Sequence, residues 1–345
     1  MAHRVLVTGA DTFWGGRMVQ ALETDPTFET ILGMGSHPPS VPFERAEFVR
    51  ADQNYSILHR IVKATQVDTI LHTFMVTNPA GLSHRAIHEI NVIGTMNLLA
   101  AAGAPGSSVR HVVVKSSTLV YGSTARDPNT FHETTPRAGP ARHAIERALL
   151  DAESLVRDFS EDNPGTLVTV LRFANVLGPH LTTAISRCLA RPLCPSIFGF
   201  DPLLQFVEEG DVVRALLHVT RAGIPGLYNV AGEGRLPWSE VAKSCGSRRL
   251  PLSPYSPFKV HPLGRLFDLP PELGDLLRYG RGVDTRRLRA TGFTCGATSA
   301  GAVESFARAL RVQRATGKPA RAYTYEPDIE QFFRHSPSVI GSPDR

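Results

Sequence analysis

"VTGADTFWGG", residues 7–16, is the strongest indication of the fold, because it joins an apolar run to a helix through a glycine-containing turn. A tight turn of this kind presents backbone amides and a helix N-terminus to an anion such as a pyrophosphate. Small residues let the diphosphate approach the backbone, although Thr12 stands where a middle glycine is usual. The stretch therefore predicts a dinucleotide site, with cofactor contacts from Gly9, Asp11, Thr12, Phe13, Trp14 and Gly15.

The chain downstream alternates short apolar runs with amphipathic segments, which is typical of stacked βαβ units and a parallel sheet. Strands this apolar are buried on both faces, so helices are expected to cover the sheet on each side. We predict strands over 3–9, 30–36, 46–52, 67–74, 109–117 and 166–179, and helices over 14–22, 56–65, 83–102 and 140–160. The expected fold class is α/β, a Rossmann-like doubly wound parallel sheet with a smaller C-terminal substrate-binding cap.

The pattern changes near residue 180, where mixed short elements rich in proline replace the alternation. We predict a dinucleotide-binding domain over 1–180, with 205–232 returning to its sheet. Residues 181–204 and 233–312 are expected to form the cap. The basic, proline-containing stretch 313–345 is expected to be a loosely packed tail.

Composition narrows the class of protein. The 345 residues carry a formal net charge of +5, with 42% hydrophobic and 20% charged residues, as in an ordinary soluble globular protein. No basic run interleaved with aromatics supports nucleic acid binding, and no apolar run approaches the roughly 20 residues that span a bilayer. Four scattered cysteines, and a first strand that leaves no room for a signal peptide, indicate a cytoplasmic protein. The "HEIN" stretch at 88–91 lacks a second histidine at metal spacing, so we expect no metal and no membrane partner.

The end of the second predicted strand selects between the two nicotinamide dinucleotides. An acidic residue there binds the ribose 2′-hydroxyl and repels a 2′-phosphate. In "ILGMGSHPP", residues 31–39, that place falls near Gly35, followed by Ser36 and His37. Without a carboxylate, a 2′-phosphate faces no like charge, and Ser36, His37 or Arg45 could bind it. We therefore favour NADP(H) over NAD(H); the alternative is a plain turn that selects neither.

Eight motifs in order support a family resemblance: "VTGADTFWGG", "RAD", "VDTILH", "NVIGTMNLL", "KSSTLVYG", "LRFANVLGP", "FVEEGDV" and "LYNVAGEG". With this order and spacing, the chain resembles an extended short-chain dehydrogenase/reductase of the NAD-dependent epimerase/dehydratase kind, over roughly residues 3–310. The resemblance implies a Rossmann-like domain, a C-terminal substrate cap and a hydride exchanged with nicotinamide.

The resemblance also implies roles for individual residues. Asp52 matches the acid that contacts adenine, Asn91 the structural asparagine of the active site, and Ser117 the serine that hydrogen-bonds the reacting oxygen. Phe74 and Met75 replace the small pair usual after "H-x" and would give the substrate an apolar wall. The other expected cofactor contacts are Gln53, His72, Thr73, Phe74, Ser116, Phe173 and Asn175, and the expected substrate contacts are Met75, Ser117, Thr118, Asn175 and Phe206.

The chain departs from the family at its proton donor, because no Tyr-x-x-x-Lys follows "KSSTLVYG". Counting along the expected helix puts the pair at Ile145 and Leu149, or at Ala144 and Ala148. His143 with Arg147 is the one polar pair at this spacing. It matches the family positions only if the gap between "KSSTLVYG" and the pair differs from both of these counts. A literal "YSPFK" at 255–259 contains a proline that would break the helix needed to align both side chains.

A ketone reduction remains feasible without the tyrosine, because a positioned general acid contributes only about 10² to 10⁴ in rate. The proton could come from a protein group, His143 or Tyr121; from water held by Ser117 and Asn91; or from a phenol of the substrate. Atypical short-chain reductases acting on aromatic polyketides in actinomycete antibiotic pathways, angucyclinone ketoreductases of the simocyclinone type included, form a branch that this chain resembles. We therefore expect an NADPH-dependent ketoreductase of secondary metabolism with a polyphenolic ketone substrate.

Two other functions stay open. One is a non-catalytic NADP(H)-binding redox sensor or scaffold, which Thr12 and the lost pair both permit. The other is a sugar-nucleotide epimerase or dehydratase, which the fold permits although aliphatic side chains cannot abstract the hydroxyl proton. Dimerisation through the two long helices, 84–102 and 140–160, is common in the family, so a homodimer is a further expectation.

Overall fold

The computed structural model describes residues 3–78, 81–254 and 270–317. The described residues form thirteen strands: β1 His3–Thr8, β2 Phe28–Gly35, β3 Glu47–Arg50, β4 Thr69–His72, β5 His111–Ser117, β6 Leu167–Phe173, β7 Asn175–Leu177, β8 Leu193–Ile197, β9 Leu203–Leu204, β10 Phe206–Glu208, β11 Gly226–Val230, β12 Leu236–Pro237 and β13 Arg248–Leu252. Their α-helices are α1 Phe13–Glu23, α2 Tyr55–Thr65, α3 His84–His88, α4 Thr95–Ala102, α5 Ala144–Asp162, α6 Ala184–Ala190, α7 Glu209–Ala222, α8 Trp238–Ser244, α9 Pro271–Tyr279, α10 Arg286–Arg289 and α11 Ser299–Thr316.

Seven strands form one parallel sheet in the order β11-β6-β5-β4-β1-β2-β3. The strand order reverses beside β1, which creates the crevice where open α/β sheets bind their ligands. Helices α1 and α7 bury one face of the sheet, and α2, α4 and α5 bury the other. The predicted Rossmann-like doubly wound sheet is therefore confirmed.

A third apolar cluster lies outside this sheet and contains α6, β8, α8, α9 and α11. The small parallel pair β8–β13 belongs to this part, and β10 pairs with β7 rather than with the large sheet. Strand β11 pairs with β6 at the edge of the large sheet. None of the helices in the described ranges is long and apolar enough to cross a membrane.

The helix predicted over 83–102 is interrupted by a π-helical turn at Glu89–Gly94. The buried amide of Asn91 explains the interruption, because its Oδ1 accepts from the Val76 N–H at 2.8 Å and its Nδ2 donates to the Val76 carbonyl at 2.9 Å. Single-turn π-bulges inside α-helices are frequent at functional sites. Sequence periodicity alone does not reveal such a clamp.

Candidate active site

The glycine turn at the end of β1 has the geometry of a nucleotide cradle. Gly9 adopts φ +72°, and a Cβ atom on Gly15 would overlap the carbonyl of Gly9. Thr12 caps α1: its hydroxyl donates to the Gly9 carbonyl at 2.7 Å and accepts from the Gly15 N–H at 3.2 Å. Thr12, which stands where a middle glycine is usual, therefore links Gly9 and Gly15 by hydrogen bonds and stabilises the turn. The close contact between Gly9 and Gly15 keeps side chains out of the turn, as the predicted dinucleotide site requires.

Replacing Gly15 by Ala is expected to weaken nucleotide binding by about tenfold or more, because the new methyl group displaces the Gly9 carbonyl from the turn. Quenching of Trp14 fluorescence by NADH or NADPH measures the dissociation constant. Gly165→Ala is the control, since a Cβ atom there meets nothing within 4 Å. Equal affinities in both variants would contradict the cradle.

The carboxylate of Asp11, a predicted cofactor contact in the glycine turn, lies at the end of β2, which the sequence does not reveal. Oδ2 of Asp11 accepts from the backbone N–H of Ser36 at 2.9 Å and of His37 at 3.0 Å, and lies 3.2 Å from the Ser36 hydroxyl. Burial raises the pKa of Asp11, while the hydrogen bonds from His37 and Ser36 oppose that effect. The prediction that a 2′-phosphate would face no like charge here is wrong. The preference for NADP(H) drawn from it loses its physical basis.

Arg45 is also not available to a 2′-phosphate at this place. Its guanidinium donates to four backbone carbonyls between the end of α1 and the start of β2, those of Leu22, Glu23, Asp25 and Phe28, at 2.8–3.0 Å. The Ala51 N–H bonds to the Gly35 carbonyl at 2.9 Å, which brings half-buried Asp52 and Gln53 beside the same strand end. The adenine contact of Asp52 and the cofactor contact of Gln53 stay predictions.

His72, the last residue of β4, and the three residues that follow it have buried side chains. His72 is fully buried with Nε2 2.8 Å from the Thr95 hydroxyl, and burial lowers its pKa to about 3. The Thr73 hydroxyl donates to the Thr8 carbonyl at 2.7 Å, and Phe74 packs against Gly9. Met75 belongs to the apolar core. The predicted substrate contact of Met75 stays a prediction for a buried side chain, and the side chains of His72 and Thr73 bond to other protein groups.

Beneath the predicted serine lies a buried polar network. The Ser116 hydroxyl donates to Glu153 Oε1 at 2.5 Å, and the Arg172 guanidinium binds both oxygens of the same carboxylate. Arg172 also donates to the Tyr121 hydroxyl at 2.8 Å, and Tyr121 donates to Asn229 Oδ1 at 2.8 Å. Tyr121 is therefore a structural partner of Arg172 rather than a proton donor. Ser116 is likewise held by Glu153 and not presented to a cofactor.

Ser117, Thr118 and Asn175 line a cavity of about 110 Å³ between the large sheet and the third cluster. Ser117 Oγ accepts from the Leu119 N–H at 3.2 Å, which leaves its own proton to donate to a ligand. Phe206, another predicted substrate contact, is fully buried in the third cluster and does not line this cavity. Asn91 bonds through both amide atoms to the Val76 backbone, and the water that Asn91 and Ser117 would hold jointly stays a prediction. Phe173 lies in the core on the α1 and α7 side of the sheet.

Two charged side chains missed by sequence reasoning line the same cavity. Glu272 in the first turn of α9 is buried, its Oε1 has no hydrogen-bond partner among the described residues, and burial raises its pKa. Arg281 donates through Nη1 to the carbonyls of Thr118 at 3.0 Å and Gly122 at 3.2 Å, whereas its Nε has no partner among the described residues. Burial lowers the pKa of Arg281 to about 10. Neither residue lies in a recognisable motif, so the sequence carries no signal for them.

The N-terminus of α5 replaces the expected tyrosine and lysine with apolar packing. Ile145 and Leu149 are buried in the core, and α5 contains neither Tyr nor Lys. His143 precedes the helix with Nε2 3.0 Å from Asp275 Oδ2, and it is not among the residues lining the cavity. Burial opposes the charge on His143, but its hydrogen bond to the Asp275 carboxylate and the nearby Glu146 charge outweigh burial and raise its pKa. The structure thus pairs His143 with α9 instead of bringing it to Ser117.

Two further sequence predictions concern metals and the alternative tyrosine. Within residues 3–78, 81–254 and 270–317, no group of three His, Cys, Asp or Glu side chains is placed to hold a metal ion. The "YSPFK" stretch at 255–259 lies outside the described residues.

The sheet order, the glycine turn and the cavity at the strand ends place this protein in the Rossmann class. The chain matches the NAD dependent epimerase/dehydratase family over residues 5–231 and belongs to that family. Uncharacterized protein Rv0501 of Mycobacterium tuberculosis is 36% identical over 293 residues, which are 83% of this chain and 78% of that protein.

Solved structures with this fold include two NAD complexes. One is DesIV, a dTDP-glucose 4,6-dehydratase from Streptomyces venezuelae with NAD and TYD bound, at 22% identity and a TM-score of 0.68 over 92% of this chain and 99% of that one. The other is UDP-glucuronic acid 4-epimerase from Bacillus cereus in complex with NAD, at 15% identity and a TM-score of 0.69 over the same shares. At these identities the likeness shows the fold.

Proposed function

We propose that the protein is a nicotinamide-dependent ketoreductase whose favoured substrate is a polyphenolic ketone of the aromatic polyketide class. The cavity beside Ser117 carries the proposal, because it combines a hydroxyl donor for a carbonyl oxygen with the buried acid Glu272. Residues of the family-matched region, 5–231, and of α9 line this cavity. It lies at the carboxyl ends of the sheet strands, where such folds bind ligands.

Reduction of a ketone needs a hydride at the carbonyl carbon and a proton at the oxygen. Bound nicotinamide supplies the hydride. Ser117 donates a hydrogen bond to the carbonyl oxygen, which polarises the C=O bond and holds it in place. As the new C–H bond forms, the π electrons pass to oxygen, and that oxygen takes the proton of a neighbouring acid.

Glu272 is the protein group that we assign to this proton transfer. Burial favours its neutral, protonated form, and its Oε1 is directed at no other described group. The buried guanidinium of Arg281 lies in the same wall and stabilises negative charge on a ligand. A substrate phenol is the alternative proton donor, and it becomes a phenolate when it gives up its proton. Arg281 would stabilise the negative charge of that phenolate.

The apolar part of the cavity supports a flat hydrophobic ligand. Leu119, Val176, Ile185, Leu273 and Leu276 contribute to its lining. The nucleotide sugars named with the solved relatives are the competing substrate class, and Arg281 would suit their phosphates equally well.

Oxidation of NADH and of NADPH, followed by absorbance, tests the proposed function. The assay offers polyphenolic ketones, their O-methylated derivatives, UDP-glucose and dTDP-glucose in parallel. Turnover confined to the ketones is the expected result. If only UDP-glucose or dTDP-glucose is turned over, the substrate is a nucleotide sugar and not a polyphenolic ketone. Tight binding of NADH or NADPH without any turnover would favour the redox sensor or scaffold.

A further inference from the structure

We propose that Asp11, in the glycine turn, is the residue that selects NAD(H) over NADP(H), in place of the acidic residue that related folds carry at the end of β2. The inference rests on the proposed function only in assuming that the glycine turn binds a nicotinamide dinucleotide. It concerns binding, and its test needs no turnover.

The Asp11 carboxylate occupies the end of β2. Its Oδ2 lies 2.9 Å from the Ser36 N–H and 3.0 Å from the His37 N–H, the two residues that follow the strand. In the Rossmann fold this strand end faces the ribose that carries the 2′-hydroxyl of NAD or the 2′-phosphate of NADP. The carboxylate therefore stands at the ribose although it belongs to the preceding turn.

Gly35 and Asp11 form a complementary pair. A Cβ atom on Gly35 would overlap Cγ and Oδ1 of Asp11, so the absence of a side chain at 35 leaves the space that the carboxylate fills. A carboxylate at residue 35, the usual position, and one at residue 11 exclude one another sterically. Asp11 in the glycine turn thus takes the place of the acidic residue that is missing at Gly35, the end of β2.

The same hydrogen bonds remove the donors that a 2′-phosphate would need. The N–H groups of Ser36 and His37 and the Ser36 hydroxyl all bond to Asp11, and His37 Nδ1 lies 3.6 Å from the same carboxylate. A phosphate here would meet a like charge and lose these donors, whereas a hydroxyl can donate to the carboxylate. One opposing cation is close: Arg50 Nε donates to the Ser36 carbonyl at 2.9 Å from an exposed side chain.

Dissociation constants for NADH and NADPH, measured on the full chain by nucleotide fluorescence and calorimetry, test the proposal. The wild type should bind NADH at least about tenfold more tightly than NADPH, the order of effect expected for one juxtaposed like charge. Asp11→Asn keeps an amide oxygen for the two N–H groups but removes the charge, so the ratio should fall towards one. Glu44→Gln removes an exposed carboxylate from the nearby loop and should leave the ratio unchanged.

A relocation variant separates charge from folding. Asp11→Gly combined with Gly35→Asp moves the carboxylate to the strand, and the preference for NADH should return. A wild type that prefers NADPH, with Arg50→Gln reversing that preference, would overturn the proposal. So would an unchanged ratio in Asp11→Asn, or a folded relocation variant without a preference. Failure of the wild type to bind either nucleotide would overturn the proposed function itself.

Discussion

Replacing Glu272 by Gln is expected to slow ketone reduction by about 10²- to 10⁴-fold, the range that a positioned general acid contributes. The amide keeps the shape of the carboxyl group but has no acidic proton for the developing alkoxide. Nucleotide binding should be unchanged, because Glu272 lies on α9 in the cavity wall and not at the glycine turn. Single-turnover decay of NADH absorbance with an O-methylated ketone measures the rate without interference from a substrate phenol.

The pH dependence of that rate follows from the direction of the Glu272 shift. Burial raises its pKa above the ordinary value of a glutamate, although the charges of His143 and Arg281 oppose the effect. The protonated form is the donor, so the rate should be highest at low pH and fall as pH rises through the raised pKa. Glu272→Gln should lose this limb of the profile.

A matched control is Glu240→Gln, which removes an exposed carboxylate from the first turn of another helix, α8. It should leave both the rate and the profile unchanged. Full activity of Glu272→Gln on methylated ketones would refute the assignment and move the donor to water. Activity confined to free phenols in both proteins would instead identify the substrate as the donor.

Replacing Glu153 by Gln is expected to lower the free energy of unfolding by about 3–5 kcal/mol, the usual cost of removing one partner of a buried ion pair. Glu153 accepts hydrogen bonds from Ser116 and Arg172, and both charged side chains are nearly buried. Burial opposes the charge on Arg172, but the Glu153 carboxylate outweighs it and raises the pKa. Without that carboxylate the guanidinium is left as an uncompensated charge beneath Ser117. Urea denaturation followed by circular dichroism measures the change.

Glu161→Gln provides the comparison on the same helix. Its carboxylate forms an exposed pair with Arg157 at 4.0 Å, so the loss should be no more than about 0.5 kcal/mol. Equal losses in the two variants would show that the network around Arg172 does not contribute the stability assigned to it.

The fold was predictable because its signals are local and repeated. Apolar runs of strand length alternate with amphipathic helices, and "VTGADTFWGG" fixes the first turn between them. The glycine turn and the serine at the end of β5 were found by motif, since each lies within a few residues of its neighbours in the site. The π-helical turn was not found by motif, because it depends on the hydrogen bonds between Asn91 and the backbone of Val76, which lies in a different segment of the chain.

The rest of the site depends on contacts between distant parts of the chain. The sequence places Gly35 at the end of β2 and correctly finds no acid there, but only the fold shows Asp11 filling that space. Glu272 and Arg281 follow Ser117 far along the chain and have no spacing that marks them. His143, chosen for its position in sequence, turns to Asp275 because α9 packs beside it.

Hydride transfer is tested with reduced nicotinamide nucleotide that carries two deuterium atoms at C4, because either face of the ring then delivers deuterium to the product. Incubation of wild type with the labelled reduced nucleotide and a polyphenolic ketone, followed by mass spectrometry, shows where the label goes. We predict one deuterium on the new carbinol carbon, at a rate that Glu272→Gln lowers. A reduced nucleotide that stays bound and unoxidised, with every ketone recovered unlabelled, would contradict the account.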